Sequence, residues 1–462
     1  MKTSTRKTWR QKLEDSKGQT MIHRILLSGL LALTTSATAI ANTVKDREGA
    51  VRQDRAAREN DPRWIYNDVD RGFAEARRTG KPLLVVLRCV PCLACAGIDT
   101  QVLTESSALG PLLDRFVCVR LINANTLDLS RFQFDFDLSF TTLVFNGDGT
   151  VYGRYGSWLH QKNAQETATA GYRATLQAAL DLHAGYPANR ESLAGKQGAP
   201  IAYKTPVEIP GLGGKYTPFL NWSGKVVPSC IHCHQVNDGL RLTLRNQQQT
   251  LPESLIYPNP EPETIGLVLA DDAIARVQSV APGSIAARAG FLPGDQIERF
   301  AGQPLISPAD FSWALHRQPA TARVQASIRR NGSAHTVDIP LPEGWRQAAD
   351  ISRRVGTWGL RAMASGGLQL QELTDAERRE RGLSPDAMAL HVRHAGEYGK
   401  HAAAKNAGFR KDDILVALEG HTNRITESQW IGSALTRLAP GRAVPATVLR
   451  GTNRLDLVLP IQ

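Results

Sequence analysis

At 462 residues the chain is too long for one hydrophobic core, and about 150 residues per domain gives roughly three units. Hydrophobic residues at 42% and charged residues at 21% are ordinary for globular protein and exclude bulk disorder and a multispan membrane protein. The formal charge of +11 is inflated by residues 1–41, which hold seven basic and two acidic side chains; without them about +6 remains, too little to argue for a nucleic-acid partner.

The long apolar run is Ile25 to Ala41, preceded by His23 and Arg24. It ends in Ala37-Thr38-Ala39 or Ala39-Ile40-Ala41, the small-x-small pattern of a cleaved secretory signal. The run falls short of the ~20 apolar residues that span a bilayer. Residues 1–41 are therefore read as a signal peptide, with an N-terminal extension if Met21 is the start. The mature chain is expected to be periplasmic or secreted, with no integral membrane span. All six cysteines then lie in an oxidising compartment, where disulfides and covalent haem both form.

Residues 42–60 are polar, charged and without periodicity, and read as a linker. Trp64, Ile65, Val69, Phe73 and Ala76 then fall near helical spacing, and Gly80-Lys81-Pro82 stops the helix. Leu83 to Leu87 is a buried strand by length and β-branching. Cys89-Val90-Pro91-Cys92-Leu93-Ala94-Cys95 follows at once, then a helix to about Leu113. Further strands are expected at Phe116 to Leu121 and Thr142 to Phe145, with a turn at Asn146-Gly147-Asp148-Gly149. A cysteine at a helix N-terminus meets unpaired amides and the positive end of the dipole, which favours thiolate.

Strand, CxxC, strand and hairpin resemble the thioredoxin fold over residues 61–184. The resemblance implies that Cys92 is a nucleophile and Cys95 its resolving thiol, with Cys89 and Cys92 as an overlapping second frame. Thr141 stands where that family has its cis-proline. Three cysteines at a spacing of three also suit a soft ion such as Cu(I), or a structural disulfide. Cys118 reads as a buried core thiol. Residues 159–184 are predicted helical, with Tyr172, Leu176, Ala179, Leu180 and His183 on one face. His183 is either a histidine favoured by the helix C-terminus or a distal haem ligand.

From Gly185 to Thr264 periodicity fades and Gly and Pro rise. Cys230-Ile231-His232-Cys233-His234 has the CxxCH spacing of a c-type haem site, in which Cys230 and Cys233 bond the vinyl groups and His234 ligates the iron. A simple disulfide and half of a zinc site are the other readings. No methionine follows until Met363, so His183, His160 or an open position is left for the sixth ligand.

Regular alternation returns at Ile265. Ala281-Pro282-Gly283-Ser284, the Ala-rich run Ile285 to Ala289, then Gly290-Phe291-Leu292-Pro293-Gly294-Asp295-Gln296-Ile297 resemble the bacterial PDZ domain over residues 264–342. Ala407-Gly408-Phe409 with Asp413-Ile414 repeats that pattern about 118 residues on, in a second PDZ-like unit over 356–462, where Gly396 to His401 replaces the Pro-Gly-Ser turn. The family binds peptide by strand addition. Carried onto this chain, the binding residues are Ile265, Gly266, Leu267 and Val268, and Gly367, Leu368, Gln369 and Leu370.

Bacterial PDZ pairs often accompany a serine protease. The chain has no Gly-x-Ser-x-Gly or Gly-Asn-Ser-Gly-Gly run, so it is expected not to be one. The order of domains and the Arg88-Cys89-Val90-Pro91-Cys92 run also resemble bacterial thioredoxin/PDZ proteins, some with selenocysteine, which implies redox work at the cysteines.

The expected fold class is multidomain α/β plus mixed α+β: a thioredoxin-like fold, a loop-rich haem segment at 185–263, and two PDZ-like β-barrel or sandwich modules. The expected function is that of an exported redox protein. Its CxxC, a possible thiol-disulfide oxidoreductase centre, would couple to electron transfer through one covalent haem c, with PDZ docking of a periplasmic protein or peptide. The alternatives are a PDZ docking or redox-sensing adaptor and a copper-binding thiol protein.

Overall fold

The run Leu83 to Leu87 becomes β2 (Leu83–Arg88), the middle strand of a five-stranded sheet and buried at every position. The computed structural model describes residues 46–90, 109–138, 140–156 and 166–462, all within one unit, Thr43–Gln462. The sheet order is β1 (Trp64–Tyr66), β3 (Val117–Leu121), β2, β4 (Phe140–Phe145), β5 (Val151–Tyr155). The first three strands are parallel and the last two antiparallel. A strand covered on both faces reads as an unbroken apolar run, which is why β2 and β3 are plain in the sequence. α2 (Val69–Thr79) starts at the Asp68 cap and stops at Gly80, whose φ of 68° only glycine adopts freely. α3 (Glu166–Ala184) lays Tyr172, Leu176, Ala179 and Leu180 on the core holding Leu84 and Val86.

The expected linker is instead largely a helix, α1 (Arg47–Arg58). It buries only Val51, so it has no apolar stripe to detect. Polar contacts hold it: Asp54 accepts from Tyr66 Oη at 3.0 Å and Arg120 Nε at 3.3 Å, and Glu48 accepts from the amides of Val226 and Val227, each at 3.0 Å. The loop-rich segment likewise contains a regular helix, α4 (Cys233–Asn246). Its buried residues include Asn237, Arg241 and Arg245. Arg241 pairs with Asp137, and Arg245 donates to the carbonyls of Leu438 and Gln462. α4 packs Val236, Leu240, Leu242 and Leu244 on the cores, but its buried set is mixed with polar residues held by specific partners.

The first downstream module contains β6 (Leu267–Leu269), β7 (Val277–Val280), α5 (Ile285–Ala289), β8 (Gln296–Phe300), β9 (Gln303–Pro304), α6 (Pro308–His316), β10 (Ala322–Arg330) and β11 (Ser333–Leu341). The second runs α7 (Thr357–Ser365), β12 (Leu368–Glu372), α8 (Asp375–Glu380), β13 (Leu390–Ala395), α9 (Ala403–Asn406), β14 (Ile414–Leu418), α10 (Glu427–Arg437), β15 (Ala443–Arg450) and β16 (Asn453–Pro460). β6, β7, α5, β8, α6, β10 and β11 recur in order as β12, β13, α9, β14, α10, β15 and β16. One ion pair recurs with them. Arg330 grips Asp295 and the Gly290 carbonyl, and Arg450 grips Asp413 and the Gly408 carbonyl. Each aspartate also accepts an amide three residues before it, from Leu292 or Arg410. Among the described residues the sheets are open, so the barrel expectation is corrected to sheets of two, four and five strands.

Candidate functional site

Cys92 and Cys95 lie outside the described residues, as does His160. Cys89, at the end of β2, has its Sγ 3.4 Å from His232 Nδ1. The two cysteine motifs, 143 residues apart, therefore meet, and the histidine that makes the contact was not singled out from the sequence. Burial, with the charges of His234 and Arg47, pushes His232 down to about 4, so its ring is neutral.

Cys230 and Cys233 are both free thiols and pack in different apolar clusters. Cys230 packs with Val51, Val90 and Val226 and donates to the Val226 carbonyl at 3.3 Å, whereas Cys233 packs on the cluster of Ile209, Ile231 and Val236. Burial raises Cys230 to about 11 and Cys233 to about 12, so both are thiols at neutral pH. His234 turns to Asp238 Oδ2, 3.3 Å away. In this arrangement the two thiols pack against different apolar neighbours. His183 does not reach out as a distal ligand: its Nδ1 meets Tyr152 Oη and its Nε2 meets the Gly80 carbonyl, each at 2.9 Å. Among the described residues no group of three or more His, Cys, Asp or Glu is arranged to hold a metal. The copper expectation rests on cysteines that mostly lie outside the described residues. Cys118 is the buried core thiol expected, raised to about 12 by burial.

The peptide-binding candidates are better placed. Ile265 and Gly266 turn the chain into β6, with Gly266 at φ 88°. Among the described residues β6 pairs only with β7. The Ala281 amide donates to the Gly266 carbonyl and the Ala270 amide to the Arg276 carbonyl. Hydrogen bonds alternate along an antiparallel ladder, and a bulge falls between Val268 and Leu269, so the amides of Leu267 and Leu269 point away from β7. This outer edge is covered: Leu267 is 0% and Leu269 2% exposed. α6 is buried from Pro308 to Leu315 because its flank docks on the thioredoxin-like domain. There Asp310 accepts from Lys196 Nζ at 2.7 Å and the Arg154 amide at 3.1 Å, and Arg154 stacks 4.0 Å over Trp313. Burial lowers the Lys196 pKa, and the Asp310 charge opposes it.

The second edge repeats the first with one change. Gly367, at φ 91°, leads into β12, which has the same bulge between Gln369 and Leu370 and lies at the edge of its sheet. Here the outward amide of Leu370 is taken: it donates to Glu427 Oε1 at 2.7 Å. Glu427 is the first residue of α10 and is held by Arg361 of α7, Nε to Oε1 at 2.9 Å and Nη2 to Oε2 at 2.6 Å. Both side chains are 3% exposed. Burial raises the Glu427 pKa, and Arg361 and the Leu370 amide pull the other way. Trp430 of α10 also donates to the Ala364 carbonyl at the end of α7. Neither Arg361 nor Glu427 was a sequence candidate; they are 66 residues apart, and no local pattern joins them.

These features define a protein with a thioredoxin-like domain, matched by that family over residues 64–147, and a PDZ domain, matched over residues 243–341. Among curated proteins, the chain is 24% identical over 188 residues to the periplasmic pH-dependent serine endoprotease DegQ of Escherichia coli (strain K12), covering 40% of this chain and 36% of that protein. It is 25% identical over 178 residues to a probable periplasmic serine endoprotease DegP-like of Pseudomonas putida (strain W619), covering 38% and 35%. The chain thus spans about a third of the length of these relatives. A solved HtrA-type protease, AlgW with decapeptide, aligns at 15% identity and a TM-score of 0.19 over 30% of this chain and 48% of that one.

The relatives correct two expectations. They are serine endoproteases, so the reading as a haem-linked thiol redox protein and the exclusion of a serine protease are both overturned. The first rested on a five-residue motif, Cys230 to His234. The second rested on a missing motif, which is weaker than a likeness spread over 188 residues.

Proposed function

We propose that the chain works in the periplasm, on the polypeptide-handling side of proteolysis, by holding extended segments of other proteins on PDZ architecture. The observation that carries this reading is β6, a glycine-led strand with a partner on one side only, which is the element that accepts an added strand. The repeated elements and repeated Asp-Arg grip support reading the second module as another PDZ-like unit. The relatives named as periplasmic endoproteases support the compartment and the setting. Among the described residues no helix is long and apolar enough to cross a membrane.

In this role the thioredoxin-like domain is a dock. It fixes α6 through Asp310, Lys196 and Arg154, so a strand entering beside β6 meets a braced helix on its far side. The test is equilibrium binding of the full chain to fluorescein-labelled, reduced and carboxymethylated α-lactalbumin, read by anisotropy. The unfolded probe is expected to bind and folded α-lactalbumin is not. The same mixtures on a denaturing gel read whether the probe is cut. No binding of the unfolded probe sinks the reading.

A further inference from the structure

The two modules share a groove design but treat its edge differently. Ser307 and Thr426 are the caps of α6 and α10, which makes Pro308 and Glu427 equivalent first residues. The bulges make Leu269 and Leu370 equivalent edge positions. Proline offers no side-chain acceptor, and among the described residues no side chain accepts from the Leu269 amide. Glu427 accepts from the Leu370 amide, where the carbonyl of an added strand would sit.

We propose that Glu427 is an internal latch on the strand-accepting edge of the second module, so that extended polypeptide is taken by the first module while the second stays shut. This rests on the PDZ reading above. Entry beside β6 requires α6 to part from apolar neighbours. Entry beside β12 also requires the Leu370 amide to give up a charged acceptor and would leave Arg361, 3% exposed, without its carboxylate. A buried guanidinium stripped of its partner strongly disfavours the open state. Trp430, one turn further along α10, ties that helix to the end of α7. The second module then serves as a rigid support, gripping α4 through Arg245 and the Gln462 carbonyl.

A photo-crosslinking benzophenone side chain replaces Val268 in one full-length preparation and Gln369 in another, each incubated with the unfolded, carboxymethylated α-lactalbumin probe. The Val268 position is expected to capture the probe at least about tenfold better. In an Arg361→Met/Glu427→Ala background, which removes both charges together, the Gln369 position should rise to within about twofold of Val268. Equal capture in the unsubstituted background overturns the latch and leaves the PDZ reading standing. Capture at neither position, with no probe bound, sinks both. Hydrogen exchange on the unmodified chain is independent of how the variant folds. The Leu370 amide is expected to exchange at least about tenfold more slowly than that of Leu269 without probe, and equal rates overturn the latch.

Discussion

The first and second modules are built to one plan and held shut in different ways. In the first, the helix flanking the edge strand is braced from outside, its Asp310 held by Arg154 of the thioredoxin-like sheet and by Lys196 of the segment after it. In the second, the corresponding helix carries its own closure, a carboxylate on the edge amide locked by a buried guanidinium. The two share a scaffold, seen in the matched Asp295-Arg330 and Asp413-Arg450 grips. They differ at the first helical position, proline in one and glutamate in the other. A difference of one residue at a strand edge outweighs the likeness of the sheets, because an edge amide is the group that a partner strand must win.

The largest expected effect breaks that difference. Arg361→Met leaves Glu427 buried without its partner and should cost about 3–5 kcal/mol, read by urea unfolding. Adding Glu427→Leu should recover most of the loss, since two apolar side chains replace a pair that is costly to bury. Pro308→Ala, at the matching position of the first module, should change stability by less than about 1 kcal/mol. If Arg361→Met is as mild as Pro308→Ala, the ion pair is not what closes the second groove.

A smaller effect separates the two entry glycines. A left-handed backbone costs a non-glycine residue about 1–2 kcal/mol, so Gly266→Ala and Gly367→Ala should both lower the melting temperature. A Cβ at Gly367 would stand 2.0 Å from the His401 backbone carbonyl, whereas at Gly266 it would meet the Ser284 side chain at 2.2 Å. At Gly367 three His401 backbone atoms lie within 2.7 Å, whereas at Gly266 two atoms of the short Ser284 side chain lie within 2.3 Å, so Gly367→Ala should be the worse of the two. The reverse order would show that the second loop is the more pliable.

The last effect depends on pH and sits in the first module alone. His316, near the end of α6, accepts from the Asn259 amide, and burial, then Arg346 and Arg317, push it down to about 3. The equivalent position in α10 is Leu435. A histidine with a depressed folded pKa contributes stability above its unfolded pKa near 6.5 and loses it as pH falls toward the folded value. Between pH 6.5 and 4 the loss from this group should approach about 1.4 kcal/mol per pH unit. His316→Gln, which keeps an acceptor for Asn259, should flatten the profile of melting temperature between pH 7 and 5. An unchanged slope would assign acid sensitivity elsewhere, to the buried His232 first.

Elements that bury an apolar face were legible from residue order. β2, β3 and β4 appear close to their expected bounds, and the Ala-Gly-Phe and Asp repeats located both downstream modules. α1 and α4 were not, because α1 is held by polar contacts such as Asp54 to Arg120, and α4 buries Asn237, Arg241 and Arg245 against partners remote in sequence. The Cys230 to His234 spacing meets a related limit. Spacing places residues along the chain, but not the cluster into which each side chain turns, and Cys230 and Cys233 turn into different ones.

By itself, the sequence determined the thioredoxin-like strand pattern and the PDZ turn and helix, since local propensity and hydrophobic period act over a few residues. Only the tertiary structure decided that Cys89 meets His232, that Asp310 meets Lys196, and that Glu427 occupies the edge beside Leu370. Those contacts join polar groups far apart in the chain. Burial makes them strong, and burial exists only once the domains have packed.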